Sequence, residues 1–98
     1  MRNKKYYRNG QVAYEIADGV YTSYYKSAVA WGTPVVYATG PYIEGKMEGD
    51  WVFFRRNGML WKAGAYKNGE KQGMWKQFDR KGQLKLEEEY NKGWIVKK

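Results

Sequence analysis

Between Leu60 and Tyr90, apolar and polar side chains alternate along two stretches that copy one another. Leu60, Lys62, Gly64 and Tyr66 share one face of a strand, and 24 residues later the same columns read Leu84, Leu86, Glu88 and Tyr90. That face is predicted to be buried. Val12, Tyr14 and Ile16 offer an equivalent strand near the N-terminus. The offset of 24 also joins Tyr42/Tyr66/Tyr90, Gly45/Gly69/Gly93, Gly49/Gly73, Trp51/Trp75, Phe54/Phe78 and Gly58/Gly82. A fixed period of this length signals an array of small supersecondary units.

Each unit reads as a β-hairpin. Asn9-Gly10, Asn57-Gly58 and Asn68-Gly69 are turn dipeptides flanked by strand-like Val, Ile, Trp, Tyr and Phe. Gly45, Gly69 and Gly93 fall at turns, whereas Gly40 and Gly64 fall in mid-strand, where a missing side chain lets a neighbouring aromatic ring lie against the backbone. Trp51/Trp75/Tyr21 and Phe54/Phe78/Tyr24 are spaced by three, so facing both columns inward requires a bulge near Val52 and Lys76. Glycine recurs too often for helix; Lys81–Asn91 has the composition for one but aligns to a strand. Tyr6, Arg8, Asn9, Gly10 and Val12 keep the frame of Phe54, Arg56, Asn57, Gly58 and Leu60, while the unit between them carries about six surplus residues around 26–37. The expectation is one all-β domain over 1–98: a curled antiparallel meander of about four hairpin repeats and eight strands. Its regular repeats span 42–93, and one irregular loop falls at 26–37.

Composition narrows the chemistry. A chain of 98 residues buries only about 60 to 65% of its unfolded surface, so the core is thin. Cysteine and histidine are absent, which removes disulfides, thiolate metal sites and the commonest general base. No carboxylates stand at metal-ligand spacing, and the reading is a non-enzyme with no cofactor and no metal. Eighteen basic against ten acidic residues give a net charge of +8, which attracts an acidic protein, anionic lipid or nucleic acid. Met1 to Gly10 leads into no apolar run, so no signal peptide is read there; with no stretch long enough to span a membrane, a cytoplasmic location is expected. The Gly-x-x-x-Gly pattern stops after Gly93, which suggests a complete small module.

Gly45-Lys46-Met47-Glu48-Gly49-Asp50-Trp51-Val52-Phe53-Phe54 and its partner Gly69-Glu70-Lys71-Gln72-Gly73-Met74-Trp75-Lys76-Gln77-Phe78 resemble the MORN repeat. They are closest to its variant in bacterial YwqK-type antitoxins. The resemblance is strong over 42–93, fair over 6–24 and poor over 26–39. It implies an elongated meander of hairpins whose stacked aromatics fill a groove used for protein or lipid contacts. It also implies a possible toxin as partner, with this chain an antitoxin or immunity protein that occludes it.

Trp51, Trp75, Tyr42, Tyr66, Tyr90, Gly45, Gly69 and Gly93 are accordingly read as scaffold. The departures between repeats are the candidate contact residues. Met59, Trp61, Ala63 and Ala65 make one repeat apolar on its second face, where the next has Gln83, Lys85, Glu87 and Glu89. Either the irregular loop with Trp31 and Tyr37 covers that face, or a partner does. Arg8, Arg56 and Arg80 form a basic column beside three turns, suited to an anionic partner or to a solvated edge that resists aggregation. The reading is a binding module for a protein, such as an acidic toxin or effector, with an anionic-lipid adaptor and a nucleic-acid binder as alternatives.

Overall fold

A computed structural model describes residues 3–30 and 32–97. Among them the chain is strand and turn with no helix. Ten strands follow in order: β1 (Asn3–Tyr6), β2 (Val12–Ala17), β3 (Val20–Ala30), β4 (Thr33–Ile43), β5 (Lys46–Met47), β6 (Gly49–Phe54), β7 (Leu60–Lys67), β8 (Glu70–Phe78), β9 (Leu84–Asn91) and β10 (Trp94–Ile95). They form one antiparallel sheet in sequence order, with β5 pairing β4 off the main path. The all-β meander is therefore as expected; the strands beyond eight are the two-residue β5 and β10. The radius of gyration of 14.5 Å exceeds the roughly 13 Å of a compact domain this size, as a single extended layer should.

The two ends of the sheet use different turns. At one end Asp18-Gly19, Glu44-Gly45, Asn68-Gly69 and Lys92-Gly93 each close a two-residue hairpin with positive φ at both positions, 54° and 84° at Asn68-Gly69. This mirror-image turn matches the twist of the flanking strands. Sequence marked only Asn68-Gly69 of these pairs as a turn dipeptide; Glu and Lys are poor residues for positive φ, whereas Asp18-Gly19 is a favourable pair that it missed. At the other end, 7–11, 55–59 and 79–83 form wider loops of one geometry. In each, the first N–H donates to the last carbonyl (2.7, 2.8 and 2.8 Å) and the glycine N–H donates to the first (2.9, 2.8 and 3.0 Å). Asn9 and Asn57 belong to these loops, where their side-chain oxygens accept from the N–H of Gln11 and Met59 (both 3.0 Å).

The core is a tryptophan laid on a glycine, twice. Trp51 is 1% exposed and Trp75 5%. A Cβ on Gly40 would fall inside the Trp51 ring, and one on Gly64 inside the Trp75 ring. Each indole N–H then donates to the carbonyl of the residue after that glycine: Trp51 to Pro41 at 2.8 Å and Trp75 to Ala65 at 3.0 Å. The mid-strand glycines thus do what their spacing implied. The expected bulges at Val52 and Lys76 are on the partner strands instead: Phe53 and Phe54 are adjacent but pair with Lys62 and Leu60, and Gln77 and Phe78 with Leu86 and Leu84, so the extra residues are Trp61 and Lys85, and Phe53 rather than Phe54 joins Trp51 in the ring network.

Two expectations are corrected. The stretch 26–37 is not a loop: β3 and β4 continue through it as 11-residue strands, with register shifts around Tyr24 and a positive φ at Ser27 absorbing the surplus. Leu86, paired with Gln77, faces the same side as Trp75, whereas Leu84, paired with Phe78 across the bulge at Lys85, does not share that face as alternation predicted, and both remain about half exposed. The reason is local, since β10 pairs only with Asn91 and Tyr90 and leaves no strand beside them.

A measurement of folding stability separates the two kinds of glycine. Gly64→Ala is expected to lose about 3 kcal/mol in urea denaturation, because the Trp75 ring must leave the backbone. Gly69→Ala, with open space around it, should lose only about 1 kcal/mol through its positive φ. Equal losses would contradict the Trp-on-Gly core.

Candidate functional site

The face that carries Trp51 and Trp75 holds ten aromatic rings in one connected network. A ladder runs across the strands through Tyr14, Tyr21, Trp51, Tyr66, Trp75 and Tyr90, with centroid separations of 5.2, 5.6, 5.9, 5.1 and 6.3 Å. A branch leaves Trp51 through Phe53 to Tyr37 and Tyr25. Between ladder and branch lies an open cavity of about 430 Å³ lined by Tyr21, Tyr37, Tyr42, Trp51 and Phe53, with Ser23, Ala38 and Lys46 also in its lining. That volume is in the range that admits a small ligand or one or two partner side chains.

Two lysines lie on this aromatic surface. Lys62 Nζ sits 5.6 Å from the Phe53 ring centre and 4.1 Å from that of Trp61. Lys71 Nζ sits 4.7 Å from Trp75 and 4.8 Å from Tyr90. Ring faces attract a cation, which holds both ammonium groups low over the groove. Burial pushes the Lys62 pKa below its ordinary value, and the charge of Lys71 lowers it further. A carboxylate arriving beside Lys62 would offset both penalties.

The sequence-predicted contact residues do not come together. Tyr37 joins the aromatic face between Tyr25 and Phe53. Trp31 lies outside the described residues. Trp61 is the extra residue of a bulge in β7, between Leu60 paired with Phe54 and Lys62 paired with Phe53, and is half-buried beside the Arg55 guanidinium at 5.6 Å and the Lys62 ammonium at 4.1 Å, at the margin of the aromatic face rather than on the second face with Ala63 and Ala65 as alternation predicted. Met59 is 38% exposed, at the wide-loop end and close to Gly82. Arg8, Arg56 and Arg80 are exposed at the second position of the three wide loops. The cavity was missed because its walls are scaffold columns. Lys62 was the available signal, a charged side chain in a column predicted to be buried.

A family model described as MORN repeat variant matches residues 2–16 and 71–92. Those two segments are similar to MORN repeats. Between the matched segments, 17–70 keeps the same two-residue turns and the same Trp-on-Gly packing, so one repeat geometry runs through the sheet. Searches of curated proteins and of solved structures return no match. Among the described residues no group of three or more metal-ligating side chains converges, and no helix is long and apolar enough to cross a membrane.

Burial pushes the pKa of Tyr21, Tyr24, Tyr25, Tyr66 and Tyr90 above the tyrosine value of 10.0, with neighbouring Glu15 adding to the shift at Tyr24 and Glu88 at Tyr90. A raised folded-state pKa means that the stability from these hydroxyls is fully present below pH 10 and is lost as pH climbs through the folded values. Lys62 acts in the opposite direction just below its unfolded value of 10.5, as one group against five. Urea unfolding monitored from pH 8 to 11 should therefore show a fall above pH 10. Constant or rising stability there would contradict the burial of these hydroxyls.

Proposed function

We propose that this chain is a non-enzymatic binding module that holds an acidic segment of a protein partner in its aromatic groove. The observation that carries this reading is the cavity of about 430 Å³ beside Lys62. Phe53 is both a wall of the cavity and the ring under the Lys62 ammonium. A partner side chain seated in the cavity thereby brings a neighbouring carboxylate to a lysine that desolvation and Lys71 have left short of compensation. The net charge of +8 draws such a partner in at long range.

Within the MORN resemblance, the partner class is a toxin or effector and the role is that of a bacterial cytoplasmic antitoxin of the YwqK type. The groove suits occlusion, because an extended segment laid across consecutive units is covered along its length. Arrays of this kind gain affinity by adding contacts from one unit to the next.

The test is co-purification with the product of the adjacent gene, followed by affinity measurements on two groove variants. Tyr37→Ala and Lys62→Gln are each expected to weaken the complex about tenfold or more, roughly 1.4 kcal/mol, as removal of a central anchor does. Unchanged affinity in both variants would sink the groove reading.

A further inference from the structure

The two edges of the sheet carry opposite charge. β1 is exposed along its length and holds Lys4 and Lys5 with no carboxylate. At the other edge β9 holds Glu87, Glu88 and Glu89 against a single lysine, Lys85. The ion pair found among the described residues is Lys4 with Glu15 at 3.9 Å, so these three carboxylates take part in none. Charges on an edge strand ordinarily keep sheets apart. Edges that only repelled one another would share a sign, and these do not.

Both edges also present open backbone groups. Val96 N–H donates to the Glu89 carbonyl at 2.8 Å, so Glu89 and, two residues back along the strand, Glu87 turn their N–H and C=O away from β8. β10 pairs with Tyr90 and Asn91 and does not reach Glu87. On β1 the Tyr7 N–H and C=O are taken up by the 7–11 loop, which by alternation leaves Lys4 and Tyr6 facing away from β2.

The repeat supplies a register for joining them. Lys4 stands in the column of Val52 and Lys76, and Glu87 in that of Thr39 and Ala63. Inside the chain these columns pair, Thr39 with Val52 and Ala63 with Lys76. One step further, they set Glu87 opposite Lys4 of a second copy and Leu86 opposite its Lys5, whose aliphatic stem would cover the half-exposed leucine. Glu87 and Lys4 share the face away from the ring ladder, because their neighbours Glu88 and Lys5 pair with Trp75 and Tyr14. Lys76 pairs with Glu87 and Lys4 with Glu15, so charge would alternate in sign across four strands of the joined sheet. Polarity agrees as well. Eight strands lead along the path from β1 to β9, each antiparallel to the last, so a second copy with the same face up brings its β1 to β9 antiparallel.

We propose that β1 of one copy adds to β9 of another, so that this chain associates head to tail through its sheet edges. Pairing of like edges about a two-fold axis is opposed, since it sets Glu87, Glu88 and Glu89 against their own copies, or Lys4 and Lys5 against theirs. Each head-to-tail assembly keeps one open edge of each kind and can add further copies. The junction leaves the aromatic face on one side and is independent of the groove and its partner.

The test is sedimentation velocity on the purified chain. A junction of one strand pair is small, so association is weak: the mean sedimentation coefficient should rise with protein concentration and fall back in high salt. Lys4→Glu and Glu87→Lys each place like charges across the junction, and each should weaken self-association about tenfold or more. Mixed one to one, the variants offer each other an intact pair of edges, Glu87 of the first against Lys4 of the second, and association should return. That recovery requires both variants to be folded, and pairing of like edges would not produce it. A chain that stays monomeric at the highest concentration reached, an association that either variant leaves unchanged, or one that mixing does not restore overturns the proposal.

Discussion

Everything else in this structure depends on an indole ring lying flat on a backbone that has no side chain. A single-layer sheet has no second layer to bury its residues against, and the Trp51 ring on Gly40 supplies one. The indole N–H then donates to the carbonyl of Pro41, so the ring is fixed in position as well as buried. Trp75 does the same with Gly64 and Ala65. In each case the ring comes from one strand and the glycine from the strand before it. The contact that makes the core is therefore the contact that joins consecutive units, and the sheet grows by repetition of a nearest-neighbour interaction.

The units are tied a second time at each end of the sheet. At the wide-loop end the ties are the side-chain bonds from Tyr7, Tyr25 and Arg55 to the carbonyls of the following unit. At the tight-turn end Glu48 Oε1 accepts from the Asn68 N–H at 2.9 Å, and 24 residues later Gln72 Oε1 accepts from the Lys92 N–H at 3.0 Å. Backbone groups left over where strands stop pairing are satisfied by the neighbouring unit. The requirement is for a donor or an acceptor of sufficient length, which different residue types meet equally well.

That tolerance decides what could be read from the sequence. The Trp-on-Gly columns were legible, because only glycine admits the ring and only a few residue types fill the space above it. The ties between units were not, because Tyr and Arg in one column, or Glu and Gln in another, look unrelated until the atoms they reach are known. The tight turns were partly hidden for the same reason: Glu44 and Lys92 adopt positive φ under the constraint of the sheet, against their own preference. The groove lysines were hidden differently. Alternation placed Lys62 on the inner face, but only the structure shows that it rests on Phe53, beside a cavity.

The cavity itself follows from the rule that builds the core. Ile16, Gly40, Gly64 and Glu88 stand in one column at intervals of 24. Where the column offers glycine, the next strand brings a tryptophan. Ile16 leaves no room for an indole on its backbone, and the residue paired with it is Tyr21, whose smaller ring stacks on Tyr14 at 5.2 Å and 16°. Ser23 and Ala38, opposite one another on β3 and β4, are too small to fill the remaining space, and Ala38 is paired in turn with Phe53. A hollow therefore opens beside the Trp51 ring, at the unit where the glycine is lost, and its walls are the scaffold rings of the units on either side. The binding surface proposed for this chain is a gap in its repeat, held open by the same packing that closes the sheet elsewhere.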